Sequence, residues 1–372
     1  MRTGKDKISV KQLFFVFTIM VSSPTTRLFP KYAAANAEQA GWISPIISTV
    51  PFIMLLLVID SLLKKYKGQS MDDIISSIMG RFLGKLVLVV YLLWALWLTA
   101  MYTRYYSERL TSSIYINIDI NVFIILTLIP IVYILRSGFT PIARMSEILL
   151  PFIGATLIVL SIFLFPKVRA DNLLPVYTND IVPIFRGSIA ITGILSYMFL
   201  MFFLSDKVVN LKSLRTFGYI TAYVCISSIT VVNFIVIGVL GSSLARRVSL
   251  PVLTVVKQIS IMDIIENIEA VVVAVWIFAD FTLIAALLVI VLNLIKSIFS
   301  LSDTKPLINI LAVLIYFLSM GISARRFELE DFTNTLLMPI NITLGYGFPF
   351  VLFALSKLKK KKKPQKAADP SR

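Results

Sequence analysis

An all-α, polytopic membrane protein is the fold class this sequence predicts, and two observations carry it. Hydrophobic residues occupy 58% of the 372 positions and mean hydropathy is +0.87. They are gathered into runs that repeatedly reach the ~20 residues a helix needs to span a bilayer. The two observations are that composition and those runs; what the chain lacks bears on function. It has no His and a single Cys, Cys225, so no disulfide can close within it. A zinc site, or a Cys/His or Ser/His/Asp triad, has no material. No metal, cofactor or catalytic constellation is expected, and an enzyme is the least favoured reading.

Ten spans are expected, at about 8–28, 42–63, 83–103, 120–135, 146–166, 187–205, 216–240, 268–295, 306–323 and 334–356. The first runs apolar through Leu13–Met20 and then turns polar at Ser22-Ser23-Pro24-Thr25-Thr26-Arg27. A bilayer gives backbone groups no water, so a break at that depth must line a polar cavity or be buried in protein. Discontinuous helices of this kind build many transporter substrate sites. Arg27, near the outer end of the span, is expected to snorkel to the headgroups. Ala33-Ala34-Ala35-Asn36-Ala37 mimics a signal cleavage site. Arg27, Pro30 and Lys31 separate it from the apolar run, so cleavage is not expected.

Span 3 ends in Tyr102, Tyr105 and Tyr106, read as an interfacial aromatic cluster. Arg104 and Glu108, at i and i+4, are expected to pair locally. Arg144 and Glu147, near the inner start of span 5, are expected to form a gate or a structural pair. Span 6 carries Gly187-Ser188, Thr192-Gly193 and Ser196-Tyr197. These small and hydroxyl residues are either a second break or a face for close helix packing. The segment 244–264 reads as an amphipathic helix on the membrane surface.

Asp280 lies about ten residues into span 8, hence ~15 Å deep at ~1.5 Å per residue. An ionised carboxylate facing lipid there costs about 3 kcal/mol, so it must face a cavity, be protonated or find a partner. One reading is a coupling-ion or proton site; the other is a pairing with a polar neighbour such as Asn233 or Asn293.

Placing the N-terminus inside puts 24 of the 36 basic residues on the inner side of ten spans, as the positive-inside rule requires. Both termini are then cytoplasmic. The chain divides into a membrane domain, 1–358, and a polybasic tail, 359–372. The tail anchors topology and can recruit anionic lipid. Its lack of interleaved aromatics speaks against nucleic acid. Two sets of five spans must be related by an inverted repeat, the arrangement of transporters with broken helices 1 and 6.

Several clusters add a resemblance. They are Ile8-Ser9 with Gln12-Leu13, Leu28-Phe29-Pro30, Ala37-Glu38-Gln39-Ala40-Gly41-Trp42-Ile43-Ser44, and Gly138-Phe139-Thr140-Pro141-Ile142-Ala143-Arg144 with Glu147 and Pro151. Asn172-Leu173-Leu174-Pro175-Val176 and Ile268-Glu269-Ala270 with Trp276-Ile277 follow. In order and spacing they resemble the permease-like B subunits of bacterial spore germination receptors, within the amino acid–polyamine–organocation superfamily. Members carry a glycine pair-like motif where this chain has Ser22-Ser23-Pro24. The resemblance implies a ten-span, LeuT-type fold with a 5+5 inverted repeat, residence in the spore inner membrane or cell membrane, and a nutrient germinant such as an amino acid. It also implies assembly with a larger A subunit and a C lipoprotein.

For such a ligand, the carboxylate is expected on backbone N–H groups at the break in span 1. Ser23, Thr25 and Thr26 are the donors, since Pro24 has no N–H. The ammonium is expected on carbonyls freed near Gly193, with hydroxyls from Ser22, Ser196 and Tyr197 and an aromatic face from Tyr197. The opposing reading has each hydroxyl bonded back to its own helix. A ligand receptor is the first functional expectation, an H+- or Na+-coupled amino acid transporter the second, and an ion or water conduit the third.

Overall fold

The computed structural model describes residues 6–113, 118–259, 268–322, 329 and 332–359. Among them the chain is all-helical, with no β-strand beyond an isolated parallel bridge between Ile8 and Val208. Seven helical stretches are long and apolar enough to cross a membrane, and two shorter apolar helices accompany them.

Helix α1 (Val10–Arg27) starts at a reciprocal cap. Gln12 N donates to Ser9 Oγ at 3.1 Å and Ser9 N donates to Gln12 Oε1 at 2.9 Å, satisfying two of the N–H groups a helix start leaves open. Contrary to the expected break, α1 is helical straight through Pro24. Pro24 removes only one ladder bond, to the Met20 carbonyl. The surrounding hydroxyls fold back onto the helix instead of facing a cavity: Ser22 donates to Ile19 O at 2.7 Å, Thr25 to Val21 O at 2.7 Å and Thr26 to Ser22 O at 2.8 Å. Leu28 links α1 to α2 (Phe29–Ala37), and a 3₁₀ turn (Glu38–Ile43) and α3 (Ser44–Ile47) lead into α4 (Thr49–Lys65).

After α5 (Met71–Met79), α6 (Arg81–Ser113) runs 33 residues and packs along α13 (Ile268–Phe299). Helix α7 (Ile120–Arg136) is capped by Asp119, which accepts from Asn121 N at 2.7 Å. Helix α8 (Thr140–Leu164) packs on α1.

Span 6 is where the helix changes character. Helix α9 (Ile181–Leu195) gives way at Ser196 to a short α10 (Tyr197–Met201) and then to a 3₁₀ stretch, Phe202–Lys207. Ser196 keeps helical dihedrals, so the chain tightens there and does not unwind. Helix α11 (Leu214–Ala245) is interrupted at Gly241, whose φ of 73° and ψ of 158° leave the helical region. A left-handed φ is open to glycine at little cost.

Only part of the expected amphipathic segment 244–264 is described. It holds the end of α11 and the six-residue α12 (Pro251–Val256), which buries Pro251, Leu253, Val255 and Val256. Its apolar side is covered by protein. Asp263 and the rest of that segment lie outside the described residues, as does the tail beyond Lys359.

Helix α14 (Leu307–Gly321) is followed by an irregular last span, in which α15 (Met338–Ile342) and α16 (Phe348–Leu358) are joined by π-type turns at Thr333–Leu337 and Thr343–Gly347. Such turns are rare and concentrate at functional sites. Here they press on span 6. Gly345 lies against Ser196, where any side chain would collide with Ser196 Cβ, and Gly193 lies against Met338 Sδ.

The chain closes at the end holding Asp6. Ile8 N donates to Lys207 O at 3.0 Å and Val209 N to Ile8 O at 3.0 Å. Asp6 pairs with Lys207 and accepts from Phe139 N at 2.8 Å and Thr140 N at 3.0 Å. Burial by itself would raise the Asp6 carboxyl. The Lys207 ammonium and the two N–H donors outweigh it and hold Asp6 below the ordinary carboxylate value.

Candidate functional site

A cavity of about 210 Å3 opens between the α1–α2 junction and α9. Leu28, Phe29, Ala35, Ala190, Ile194 and Met338 give it apolar walls, and Lys31, Tyr32, Asn36, Tyr105 and Thr333 supply polar groups. It lies where span 1 faces span 6, and a mostly apolar cleft with a few converging polar groups is the usual form of a small-molecule site. Tyr105 is fixed from behind, its hydroxyl 2.7 Å from Thr333 Oγ1. The tyrosines expected at the interface are therefore interior groups: Tyr102 and Tyr105 are buried. Their hydroxyls find partners inside the protein, which removes the reason for them to reach water.

The polar residues of α1 point three ways. Ser23 and Thr26 face α6 and α13, where Arg109 Nη1 donates to Ser23 Oγ at 3.3 Å and Trp276 Nε1 donates to Thr26 Oγ1 at 2.9 Å. Ser22 and Thr25 face the other way, lining a separate 70 Å3 cavity with residues of α8 and α11. Arg27 does not snorkel. It is 4% exposed, with its guanidinium 4.1 Å from the Tyr105 ring centroid, an arrangement in which the aromatic face attracts the cation.

Gly193, Ser196 and Tyr197 lie in packed core beyond Ile194. Ser196 Oγ donates to Gly193 O at 2.6 Å. Tyr197 OH is 2.8 Å from Tyr102 OH and accepts from Asn341 Nδ2 at 3.2 Å, while Trp94 Nε1 donates to Asn341 Oδ1 at 2.9 Å. This chain of hydrogen bonds ties α6, α10 and α15 together. The seven residues expected to bind substrate thus do not line one pocket. None of them lines the 210 Å3 cavity.

Asp280 is 1% exposed and its partner is Arg109 of α6, in a fully buried ion pair. The asparagines proposed for it are engaged elsewhere: Asn233 Nδ2 donates to Ile229 O at 2.8 Å and Asn293 Nδ2 to Phe203 O at 2.6 Å. Arg109 also sits 5.1 Å from the Trp276 ring centroid. The local Arg104–Glu108 pair forms as expected, at 3.0 Å. Arg144 and Glu147 make no ion pair among the described residues. Arg144 is exposed, and Glu147 Oε2 accepts from Gln12 Nε2 at 3.2 Å, joining the start of α8 to the start of α1.

Comparison with known proteins is consistent from end to end. A family model described as "Spore germination protein" matches residues 7–327. Spore germination protein KB of Bacillus subtilis (strain 168) is 22% identical over 99% of each chain. Putative spore germination protein YfkT of the same organism is 22% identical over 95% of this chain and 97% of its own. Spore germination protein A2, also from that organism, is 23% identical over 86% of this chain and 87% of its own.

Proposed function

Since the chain belongs to the spore germination protein family, we propose that it is the permease-fold subunit of a germination receptor, sensing a nutrient germinant. The ligand is a small molecule, an amino acid, bound near the midplane between spans 1 and 6. The observation that carries this reading is the 210 Å3 cavity between the α1–α2 junction and α9. Ser23 and Thr26 hold the inner face of span 1 against Arg109 and Trp276. Gly193, Ser196 and Tyr197 pack behind Ile194, in the contact between α9, α10 and the last helices. Ligand binding then biases the packing of α1 and α9 against the last span, and partner subunits read the change. Those partners are the larger A subunit and the C lipoprotein.

The architecture proposed is ten spans in a 5+5 inverted repeat, with both termini cytoplasmic in the spore inner membrane or cell membrane, and the tail on anionic lipid. The grouping of loop residues supports the alternation of the spans. Basic residues assigned to different inner loops, Arg136, Lys207, Lys296 and Lys305, meet around one polar cavity, while Arg27, Lys31 and Arg109 gather around another.

A second reading, H+- or Na+-coupled transport of the same ligand, is favoured by Asp280. Its Oδ2 is paired and its Oδ1 has no hydrogen-bond partner among the described residues. Liposomes containing the purified chain separate the two. Ligand binding without accumulation of labelled amino acid supports the receptor. Saturable, gradient-dependent uptake overturns a pure receptor in favour of the transporter, and nutrient-independent ion flux overturns both.

A further inference from the structure

Two charged side chains of opposite sign direct buried, unsatisfied atoms at the same small space. All three guanidinium nitrogens of Arg27 lack a hydrogen-bond partner among the described residues. Its one described contact is the Tyr105 ring, which attracts a cation but cannot accept the five N–H bonds a guanidinium offers. Glu108 uses Oε1 on Arg104, and its Oε2 is buried with no partner. Arg27 and Glu108 do not pair with each other. They line a space of about 20 Å3 together with Leu28, Lys31, Tyr105, Arg109, Ser249 and Leu250; Arg109 is already paired with Asp280. That volume admits a water-sized group. The space shares Leu28, Lys31 and Tyr105 with the 210 Å3 cavity, so a molecule in the larger cavity can present its polar end to the smaller one.

Buried polar groups in native proteins are almost always satisfied, and an exception calls for an unseen partner. A buried charge without a counter-ion is costly. Here the two exceptions have opposite sign, and the adjoining cavity is walled by Phe29, Ala35, Ala190, Ile194 and Met338. We propose that Arg27 and Glu108 form the head-group site for a zwitterionic α-amino acid, with an apolar side chain in the 210 Å3 cavity. Arg27 takes the carboxylate, for which its planar fork is suited to two parallel hydrogen bonds. Oε2 of Glu108 takes the ammonium. This inference rests on the nutrient-binding reading above and names its ligand class. It places charge recognition on side chains and not on the backbone of α1.

The test uses the full chain in phosphatidylcholine nanodiscs, with binding read by thermal stabilisation and calorimetry. The probes are L-alanine, L-valine and L-leucine, their methyl esters, the corresponding deaminated carboxylic acids, and D-glucose. At least one amino acid is expected to bind the wild-type chain. Arg27→Gln should weaken the amino acid and the deaminated acid at least tenfold and leave the ester unchanged. Glu108→Gln should weaken the amino acid and the ester but spare the deaminated acid. Arg27→Lys keeps the charge, loses the fork and should bind several-fold more weakly, which serves if the Gln variant does not fold. Amino acid binding that survives both Gln substitutions, or both Arg27 substitutions where only those fold, overturns the head-group site and leaves the nutrient reading standing. Binding of D-glucose alone overturns the amino acid class. No binding of any probe to the folded wild-type chain overturns both readings.

Discussion

At the scale of single residues, the ion pair between Arg109 and Asp280 has the largest energetic consequence. Both side chains are almost wholly removed from solvent. Deleting one partner strands the other charge in the interior, which costs about 3–5 kcal/mol, whereas removing both can be nearly neutral. Asp280→Asn and Arg109→Met should therefore each lower the melting temperature of the purified protein sharply, and the double variant should recover most of the loss. Additive losses would mean that the two charges do not stabilise each other. Asp280 was legible in the sequence as a buried acid needing company, but its partner was not. The expected span 3 stopped at residue 103, while α6 continues to Ser113. Arg109, six residues past residue 103, lies about 9 Å further along the helix at ~1.5 Å per residue. The same extension brings Tyr105 beneath Arg27 and turns two supposed interface residues into interior ones.

At the scale of elements, the contact between span 6 and the last span is set by a missing side chain. Gly345 sits on Ser196 with no room for a methyl group. Gly345→Ala should destabilise the protein by about 1–3 kcal/mol through overpacking, and Ser196→Gly in that background should restore it, as thermal melts of the three variants would reveal. If Gly345→Ala is neutral, the two helices are not in register as described.

The N-terminal latch makes a second element-scale prediction. The Asp6 carboxyl is held below its ordinary value by Lys207 and the start of α8. Its contribution to stability is therefore complete above the unfolded pKa of about 3.9 and is lost as pH falls through the lower folded value. Because Asp6 is 31% exposed, the effect stays within about 1 kcal/mol. Wild type should lose more stability than Asp6→Asn between about pH 4 and the acid limit. Identical profiles would remove Asp6 from the latch. Hydroxyls and prolines in the sequence mark where α1 is polar. They do not separate a broken helix from one whose Ser and Thr side chains bond back to its own carbonyls, and here the second arrangement forms.

At the scale of the whole molecule, the all-helical membrane architecture was legible from composition and run length alone, because the bilayer imposes both. The position of the 210 Å3 cavity was only half legible. The sequence pointed to the meeting of span 1 and span 6, and the cavity lies there, but its walls come from Leu28, Phe29, Ala190 and Ile194 and not from the polar stretch itself. Apolar residues that line a cavity look no different in sequence from those that fill a core. We propose that a nutrient amino acid occupies this cavity. The most direct test is amino acid-dependent thermal stabilisation of the full chain compared with Ala190→Trp, which places an indole in the space between α2 and α9. If an amino acid occupies the cavity, it stabilises the wild-type protein, and Ala190→Trp, still folded and inserted, loses that response. An undiminished response in Ala190→Trp, or none in the wild type, would contradict it.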